Sequence, residues 1–313
     1  MIHRRHPRIL ARTAAAVLCA AAFSAVPAMA DEPARPAVEA QPVTPIADSN
    51  TVPLPFFADT HTFTLLPTSL LWTPALANNA EPRSYVKIMS LETDGNSTND
   101  TEIGGTLPLM RFSAADTPQQ GLQVDMFALV MTRFVDLRHQ EAVDYRFGVP
   151  FSYAHGPWSF KLGYEHTSCH LGDELQKFGE VPRPKKANRD DVMFGIAYRP
   201  IESLRLYGTF GYAFHLSTFS EDDSPERFSV GAEWTHPGPS GVWGKPYAAV
   251  EVECRGDEGY TPNLTAQIGW RWAGDTGRPS ERIALEFYDG RSPYGQFIDR
   301  HESWVSLGFY FDF

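Results

Sequence analysis

The sequence predicts an all-β fold, an antiparallel transmembrane β-barrel of about 12 strands, preceded by a signal peptide and a Pro-rich periplasmic segment. Three observations predict it. Residues 1–30 have the features of an export signal, the residues from Tyr85 onward alternate between apolar and polar side chains, and the chain ends in an aromatic-rich strand. A soluble β-sandwich also alternates, but it does not account for the other two features.

The amino-terminal segment has the three regions of a secretory signal. Four arginines precede the apolar run Ala14–Phe23, and the small residues Ala28-Met29-Ala30 form a cleavage site. We expect cleavage near Ala30, export, and a mature chain that begins at Asp31.

The rest of the chain divides by composition. After the signal peptide (1–30) we expect a flexible Pro- and Ala-rich tail (31–55), an irregular segment packed on or in the barrel (56–82), and the outer-membrane barrel of a Gram-negative bacterium (83–313).

Charge and cysteine usage narrow the function. The chain has 27 Lys and Arg against 38 Asp and Glu, which argues against nucleic-acid binding because that depends on basic residues that neutralise phosphates. Outside the signal the cysteines are Cys169 and Cys254. A disulfide between them is permitted outside the cytoplasm, although two cysteines do not make a disulfide framework.

Period-two alternation is the main evidence for strands. In the segment Trp158–Glu165, for example, Phe160, Leu162 and Tyr164 alternate with polar residues or glycine. Successive side chains of a strand point to opposite faces, so each segment has one apolar and one polar face. In a membrane barrel the apolar face contacts lipid and the polar face lines the lumen.

Counting such segments gives twelve strands, with ten or fourteen as alternatives. They start near Tyr85, Ile103, Leu122, Val143, Trp158, Asp190, Leu204, Phe228, Lys245, Thr261, Arg282 and Trp304. Short connections, such as Tyr153–Pro157, are expected on the periplasmic side, and long ones, such as Leu171–Ala187, on the cell exterior.

The chain end is the most specific of the three observations. Leu307, Phe309, Phe311 and Phe313 share one face of the last segment. This end resembles the C-terminal strand that the bacterial barrel-assembly machinery recognises, which implies that machinery as a partner through Phe313. The alternative, an edge strand of a soluble protein, would be prone to aggregation.

The densest polar run, residues 163–174, ends the fifth predicted strand and enters the longest external loop. His166, Ser168 and His170 have the parity of Leu162 and Tyr164 and should face outward. Polar residues on the lipid face are costly and therefore indicate function.

The spacing of His166 and Ser168 resembles the His-x-Ser of outer-membrane phospholipase A and of the lipid A 3-O-deacylase. In those barrel enzymes both side chains project from the outer wall, at the level of the lipid ester bonds. The resemblance implies Ser168 as nucleophile and His166 as general base, acting on phospholipid or lipopolysaccharide. The sequence departs from the pattern at Cys169, where those enzymes usually have Asn.

Strand geometry supports this pairing. Residues two apart on a strand share a face, with Cα atoms about 6 to 7 Å apart, so an imidazole can take the hydroxyl proton. If the hairpin is symmetric, Ser168 lies opposite Asp190 and His170 opposite Asn188. We therefore predict Asp190 as the group that orients the imidazole, with Asn188 as the reserve.

Other interpretations of the run remain open. These residues would have no catalytic role if they lay in the headgroup zone, or if a bulge near Gly163 turned them into the lumen. His166 and His170 would be about 13 Å apart, too far to share a metal ion. Asp173 and Glu174 are the weak metal candidates, for Ca²⁺, and no other cofactor is expected.

Several stretches also resemble a bacterial family known as domain of unknown function 1207, whose members are thought to be outer-membrane barrels. The resemblance implies the fold and no activity. The stretches are Leu66–Trp72, Asp144–Gly148, His166–Glu174, Leu204–Gly208 and Tyr288–Gln296.

Charged residues of inward parity suggest a plugged lumen. They are Lys161, Glu165, Arg205, Glu233, Glu251, Glu253, Arg271, Arg282 and Glu286. Nearly balanced charges in a narrow barrel favour a salt-bridged network. An open channel is also less expected at this size, because open channels need about sixteen strands. The candidate function is thus a lipid-facing serine acyl-ester hydrolase, and the alternatives are a non-catalytic structural or envelope-binding barrel or a narrow porin.

Overall fold

The computed structural model describes residues 51–53, 61–91, 97–136, 138–173, 175, 187–217, 223–240, 244–272 and 279–312. The expected signal peptide, its cleavage site at Ala30, most of residues 31–55, Glu174 and the terminal Phe313 lie outside these residues. No helix in the described ranges has the length and apolarity needed to cross a membrane.

Fourteen β-strands make up the described part of the chain. They are β1 (Thr51–Pro53), β2 (His61–Leu65), β3 (Ser84–Leu91), β4 (Ser97–Ala114), β5 (Gly121–Val135), β6 (His139–His155), β7 (Trp158–Leu171), β8 (Ala187–Ile201), β9 (Leu204–Leu216), β10 (Glu226–Thr235), β11 (Lys245–Arg255), β12 (Asn263–Trp272), β13 (Ser280–Arg291) and β14 (His301–Asp312).

The strands β3 to β14 form a closed antiparallel barrel. Each pairs with its sequence neighbours, and β3 also pairs with β14, which closes the circle at twelve strands. The predicted fold class and strand number are confirmed. Two short strands lie outside this ring: β2 pairs with Met110–Ala114 of β4, beyond the part of β4 that pairs with β3, and β1 pairs with β2.

The barrel has two different ends. We call the end where β6 joins β7 and β8 joins β9 the turn rim. These joints are tight, and Gly156 has a φ of 54°, a left-handed conformation that glycine adopts without strain. We call the opposite end the loop rim. It carries the 3₁₀ turns Gly256–Glu258 and Gly295–Phe297.

The distribution of polar and apolar side chains is the reverse of that in a soluble protein. Large apolar side chains cover the outer wall, and Ile103 is 77% exposed there. Charged side chains fill the interior, where Arg133, Asp191 and Arg282 are completely buried. This distribution is expected when lipid surrounds the wall and the lumen is polar.

The segment Leu70–Ala77 lies inside the barrel near the turn rim. The Leu76 amide donates to Glu233 Oε1 at 2.7 Å. The Trp72 ring lies 5.1 Å from both Lys161 Nζ and the Arg205 guanidinium. Gly195 makes room for this ring, because a Cβ atom there would lie 2.6 Å from Trp72 Cη2.

A second internal segment fills the lumen near the loop rim. Tyr294 is fully buried, with its ring 4.5 Å from the Arg133 guanidinium. The Gly295 amide donates to Asp144 Oδ2 at 3.0 Å, and Gln296 Nε2 donates to the Cys169 carbonyl at 2.7 Å. The described part of the lumen is therefore occupied near both ends.

The charged residues predicted to face inward are all buried or half-buried. Several form ion pairs, and in every pair except Arg205–Glu233 the partner is a residue that parity had not singled out. The pairs are Lys87–Glu286, Arg227–Glu165, Lys161–Glu81, Arg205–Glu233 and Arg282–Asp312.

Cys169 and Cys254 are free thiols. Cys169 is buried on the lumen side of β7. Cys254 pairs in register with Phe228, whose side chain is exposed on the outer wall. Directly opposed residues point to the same face, so the two thiols lie on opposite faces of the wall and are not bridged.

Candidate active site on the outer wall

A polar cluster interrupts the apolar outer wall near the loop rim. The alternation of β7 continues past the exposed Leu162 and Tyr164, so His166, Ser168 and His170 stay on the outer face. No bulge lies near Gly163, where β7 keeps its register with both neighbouring strands. The three side chains therefore face outward, as parity predicted. The alternative, in which a bulge near Gly163 turns them into the lumen, is wrong.

The register of β7 and β8 differs from the predicted one by two residues. His166 pairs with Asp190, and Ser168 pairs with Asn188. The expectation that Ser168 faces Asp190 and His170 faces Asn188 is wrong. The pairing begins at Cys169 and Ala187, so the connection is not symmetric about residues 171–187. A slip by two preserves parity, and all four side chains remain on one face.

Asp190 holds the imidazole of His166. The Nδ1 atom of His166 lies 2.8 Å from Asp190 Oδ1, and Tyr164 Oη donates to the same carboxylate oxygen at 2.6 Å. The side chains of His166 and Asp190 are 25% and 20% exposed. The ring of His166 also packs on Phe147, at a centroid distance of 5.0 Å. With Nδ1 held by a carboxylate, Nε2 is left as the proton acceptor.

Ser168 contacts a different imidazole from the one predicted. Its Oγ atom lies 2.9 Å from His170 Nε2 and donates to Asn188 Oδ1 at 3.1 Å. The predicted hydrogen bond to His166 is not formed between these described residues. The reason is geometric: Ser168 stands between two imidazoles, each two residues away on the same face, and its χ1 angle decides which one Oγ contacts.

Sequence parity overlooked His215, which also borders the cluster. In β9, Asp190 pairs with His215 and Asp191 pairs with Ala213, so Phe214 is an extra residue. This β-bulge leaves both Phe214 and His215 exposed, whereas strict alternation would turn His215 inward. Tyr164 was assigned to the lipid face only as an apolar residue, and its hydroxyl was missed as a partner of Asp190.

The arrangement contains the parts of a hydroxyl nucleophile with a base. A serine hydroxyl lies within hydrogen-bond reach of one imidazole, and a second imidazole is oriented by a carboxylate. A serine needs such a base because its hydroxyl is a weak nucleophile at its ordinary pKa.

Among the described residues, no group of three or more His, Cys, Asp or Glu side chains is arranged to hold an ion. Asp173, one of the two carboxylates considered for Ca²⁺, is exposed just after β7, and Glu174 is outside the described residues.

Solved structures with a similar fold are outer-membrane barrels. Outer membrane phospholipase A from Escherichia coli aligns with a TM-score of 0.50 and 10% identity, over 74% of this chain and 94% of that chain. The Salmonella typhi outer membrane phospholipase dimer with bound calcium gives 0.46 and 9%, over 75% and 94%. The NanC porin gives 0.43 and 10%, over 74% and 100%. At these identities the similarity to the Escherichia coli protein shows the fold alone.

Sequence comparisons complete the assignment. No curated protein matches the chain. A family model described as protein of unknown function (DUF1207) matches residues 20–313, nearly the whole chain, as the resemblance of five stretches predicted, and the chain therefore belongs to the DUF1207 family.

Proposed function

We propose that this outer-membrane barrel is a serine acyl-ester hydrolase that acts on phospholipid or lipid A from the outer wall. One observation carries the proposal: a serine and two histidines lie together on a wall of apolar side chains. Ser168 is hydrogen-bonded to the imidazole of His170, and the neighbouring imidazole of His166 is held at Nδ1 by Asp190. Burying this set against hydrocarbon is costly. Catalysis at the level of the lipid ester bonds is a reason to retain it.

The reaction proceeds in two steps through an acyl-enzyme. Ser168 Oγ attacks the ester carbonyl carbon, and its proton passes to Nε2 of His166. The bond to the alcohol oxygen then breaks as the imidazolium returns the proton to that oxygen. A water attacks the acyl-serine with His166 again taking the proton, which releases the fatty acid and restores the hydroxyl.

His166 is the base in this proposal because it alone has an orienting carboxylate. His170 has no hydrogen-bond partner at Nδ1 within the described ranges, and its ring meets only the edge of Tyr145, at 5.6 Å. Rotation about the Cα–Cβ bond of Ser168 carries Oγ from His170 toward His166. Asn188, which accepts the hydroxyl proton in the resting arrangement, is the reserve orienting group.

The test is release of fatty acid by the purified barrel from phospholipid and from lipopolysaccharide. Wild type should release it and Ser168→Ala should not. Ser159→Ala is the matched control, because Ser159 lies on the same strand and lines the lumen at the turn rim. Assays with and without added Ca²⁺ test the carboxylates Asp173 and Glu174. A wild-type protein that releases no fatty acid under either condition would refute the proposal.

The cellular location and the partners of the protein are part of the same proposal. We infer an outer-membrane location after cleavage near Ala30, lipids as the substrate and surrounding partner, and assembly through the strand that ends in Phe313. Fractionation with the outer membrane, and reduced assembly when Phe313 is deleted, are the expected results.

The alternatives are a non-catalytic envelope-binding barrel and a narrow porin. The porin is less well supported because Leu70–Ala77 and Tyr294–Phe297 occupy the lumen. Between them, the cavity beside Trp72, Glu165 and Arg227 holds only about 50 Å³, room for a few water molecules at most.

A further inference from the structure

A cavity of about 980 Å³ lies inside the barrel at the turn rim. Its lining includes the turn residues Gly156, Pro157 and Ser203 and residues of β8, β9, β11 and β12. The segment Leu70–Ala77 contributes Leu70, Leu71, Thr73, Pro74 and Leu76 to its lining. Its volume is at the upper end of the range for small-molecule pockets. It faces the lumen, whereas Ser168 is on the outer wall toward the loop rim.

The cavity carries an excess of positive charge. Its lining includes Arg199, Arg205, Lys245 and Arg271, against the carboxylates Glu202, Glu233 and Asp312. Two of these carboxylates are already neutralised, since Arg205 pairs with Glu233 and Arg282 pairs with Asp312. Glu202 is exposed on the turn.

Three of the cations have no carboxylate partner in the part of the chain that is described. Arg199 donates to Thr73 Oγ1 at 3.2 Å, and Arg271 donates to Ser280 Oγ at 2.9 Å. Lys245 makes no side-chain hydrogen bond there. In addition, the Nε atom of the buried Arg205 has no hydrogen-bond partner among the residues that the structure describes. Donors that are not matched by acceptors are what an anionic ligand requires.

The register places like charges directly opposite each other. Lys245 pairs with Arg271 across β11 and β12, and Arg271 pairs with Arg282 across β12 and β13. Like charges at directly opposed positions destabilise a sheet. Among the described residues, Arg282 is the only member of this row with a carboxylate partner. The row therefore carries a repulsion that an anion bound beside it would relieve.

We propose that this cavity binds a small soluble molecule that carries two or more phosphate or carboxylate groups. Arg271 and Lys245 contact one anionic group from the β11–β12 side, and Arg199 contacts a second from β8. Guanidinium groups bind both phosphate and carboxylate through paired N–H donors. A phosphate probe and a carboxylate probe are therefore used to distinguish the two kinds of ligand.

The test is calorimetric titration of the purified full-length barrel with pyrophosphate, with citrate, and with sucrose as the neutral control. Either anion, or both, should bind and raise the thermal midpoint, and sucrose should do neither. Arg271→Gln and Lys245→Gln should each weaken binding about tenfold. Arg300→Gln is the charge-matched control, because Arg300 lies at the loop rim, 46% exposed and paired with Glu141.

A second measurement needs no ligand. Lys245→Gln removes one member of the repelling pair and should raise the thermal midpoint of the empty barrel, whereas Arg300→Gln should not. The proposal fails if neither anion binds, if Arg300→Gln weakens binding as much as Arg271→Gln, or if Lys245→Gln lowers the midpoint of the empty barrel. Heat-modifiable migration on gels verifies that each variant has folded.

Discussion

The Nδ1 atom of His166 lies 2.8 Å from Oδ1 of Asp190, across β7 and β8, on a wall whose other side chains are mostly apolar. Tyr164, two residues before His166 on the same face of β7, donates a second hydrogen bond to the same Asp190 oxygen. The imidazole is thereby fixed in orientation and tautomer, so that its Nε2 atom is the free acceptor. The same side chains without this contact would be three unrelated polar residues.

The first prediction concerns the order of effects at this site. Ser168→Ala and His166→Ala should each lower the rate of ester hydrolysis by about 10³-fold or more, and the double variant should lose little beyond that, because the two act as one unit. Asp190→Ala should cost less than either, since it removes only the group that orients the base. Rates of fatty-acid release under saturating lipid give the comparison.

Two further variants make this prediction discriminating. Tyr164→Phe, which keeps the ring and removes one hydrogen bond to Asp190, should cost less than Asp190→Ala. His170→Ala should leave most of the activity, because His170 contacts Ser168 only in the resting arrangement. If His170→Ala abolished hydrolysis and His166→Ala did not, His170 would be the base and the role given to Asp190 would be wrong.

Sequence reasoning predicted which residues share the outer face but not which of them touch. Alternation fixes the face of every side chain on a strand, and it is unchanged by a slip of two residues. His166, Ser168, Asn188 and Asp190 were therefore placed on the correct face, while the residue opposite Ser168 was misassigned. Register depends on the connection between the strands, whose conformation has no comparable pattern in the sequence.

Features that break the alternation were also not predictable. The bulge at Phe214 places His215 beside Asp190, and no glycine or proline marks it in the sequence. The lumen segment around Tyr294 belongs to the connection between β13 and β14. Its inward position depends on contacts with Arg133 and Asp144, which lie far away along the chain.

The second prediction tests the two faces of the wall through the free thiols. Cys254, on the outer wall, should react with N-ethylmaleimide in the folded, detergent-solubilised barrel. Cys169, buried on the lumen side, should react only after denaturation. Mass spectrometry of the labelled Cys254→Ser and Cys169→Ser variants separates the two sites. Labelling of Cys169 in the folded barrel would show that the lumen beside it is open.

The third prediction concerns the buried network around Glu286. This carboxylate accepts hydrogen bonds from Lys87 at 2.9 Å, Gln267 at 2.6 Å, Tyr310 at 3.2 Å and Trp304 at 3.3 Å. Glu286→Ala leaves a buried cation unpaired, so it should lower the free energy of unfolding by about 3 to 5 kcal/mol.

Glu281→Ala is the control for Glu286→Ala, because Glu281 is exposed on the same strand. It should change the free energy of unfolding by no more than about 0.5 kcal/mol. Urea unfolding in detergent, followed by tryptophan fluorescence, measures both variants. Equal stabilities for the two would contradict the assigned network.

The fourth prediction is a pH dependence at the loop rim. Burial raises the pKa of the Glu258 carboxyl to about 7, with Glu253 adding to the shift and Arg255 opposing it. Because this folded-state pKa lies above the ordinary value of about 4.3, the folded protein binds more protons than the unfolded chain between these two values. The contribution of Glu258 to stability is therefore present at low pH and is lost as the pH rises toward 7 and above.

Glu258→Gln does not titrate, so it isolates this effect. The stability of wild type relative to Glu258→Gln should fall between pH 5 and pH 8, and thermal midpoints of both proteins at the two pH values give the difference. Asp257→Asn should show the opposite sign at a lower pH, since Arg255 and Arg189 lower the pKa of the Asp257 carboxyl despite its burial. The stability of wild type relative to Asp257→Asn should fall as the pH drops below about 4, the ordinary value for Asp, and should not change between pH 5 and pH 8. A difference between wild type and Glu258→Gln that does not change with pH would contradict the assignment.

The fifth prediction is that the barrel does not conduct solutes of the size of a sugar. The Leu76 amide is hydrogen-bonded to Glu233 near the turn rim, and the Gly295 amide is hydrogen-bonded to Asp144 near the loop rim. A continuous water column would have to displace both of these segments. The charges between them are paired at short range, for example Arg227 with Glu165 at 2.6 Å, and a paired network in a low-dielectric interior resists hydration. Wild-type protein in a planar bilayer should show no large, stable current steps, with heat-modifiable migration of the same reconstituted sample as proof of a folded barrel. Steady steps of porin size from such a sample would favour the porin over the plugged hydrolase.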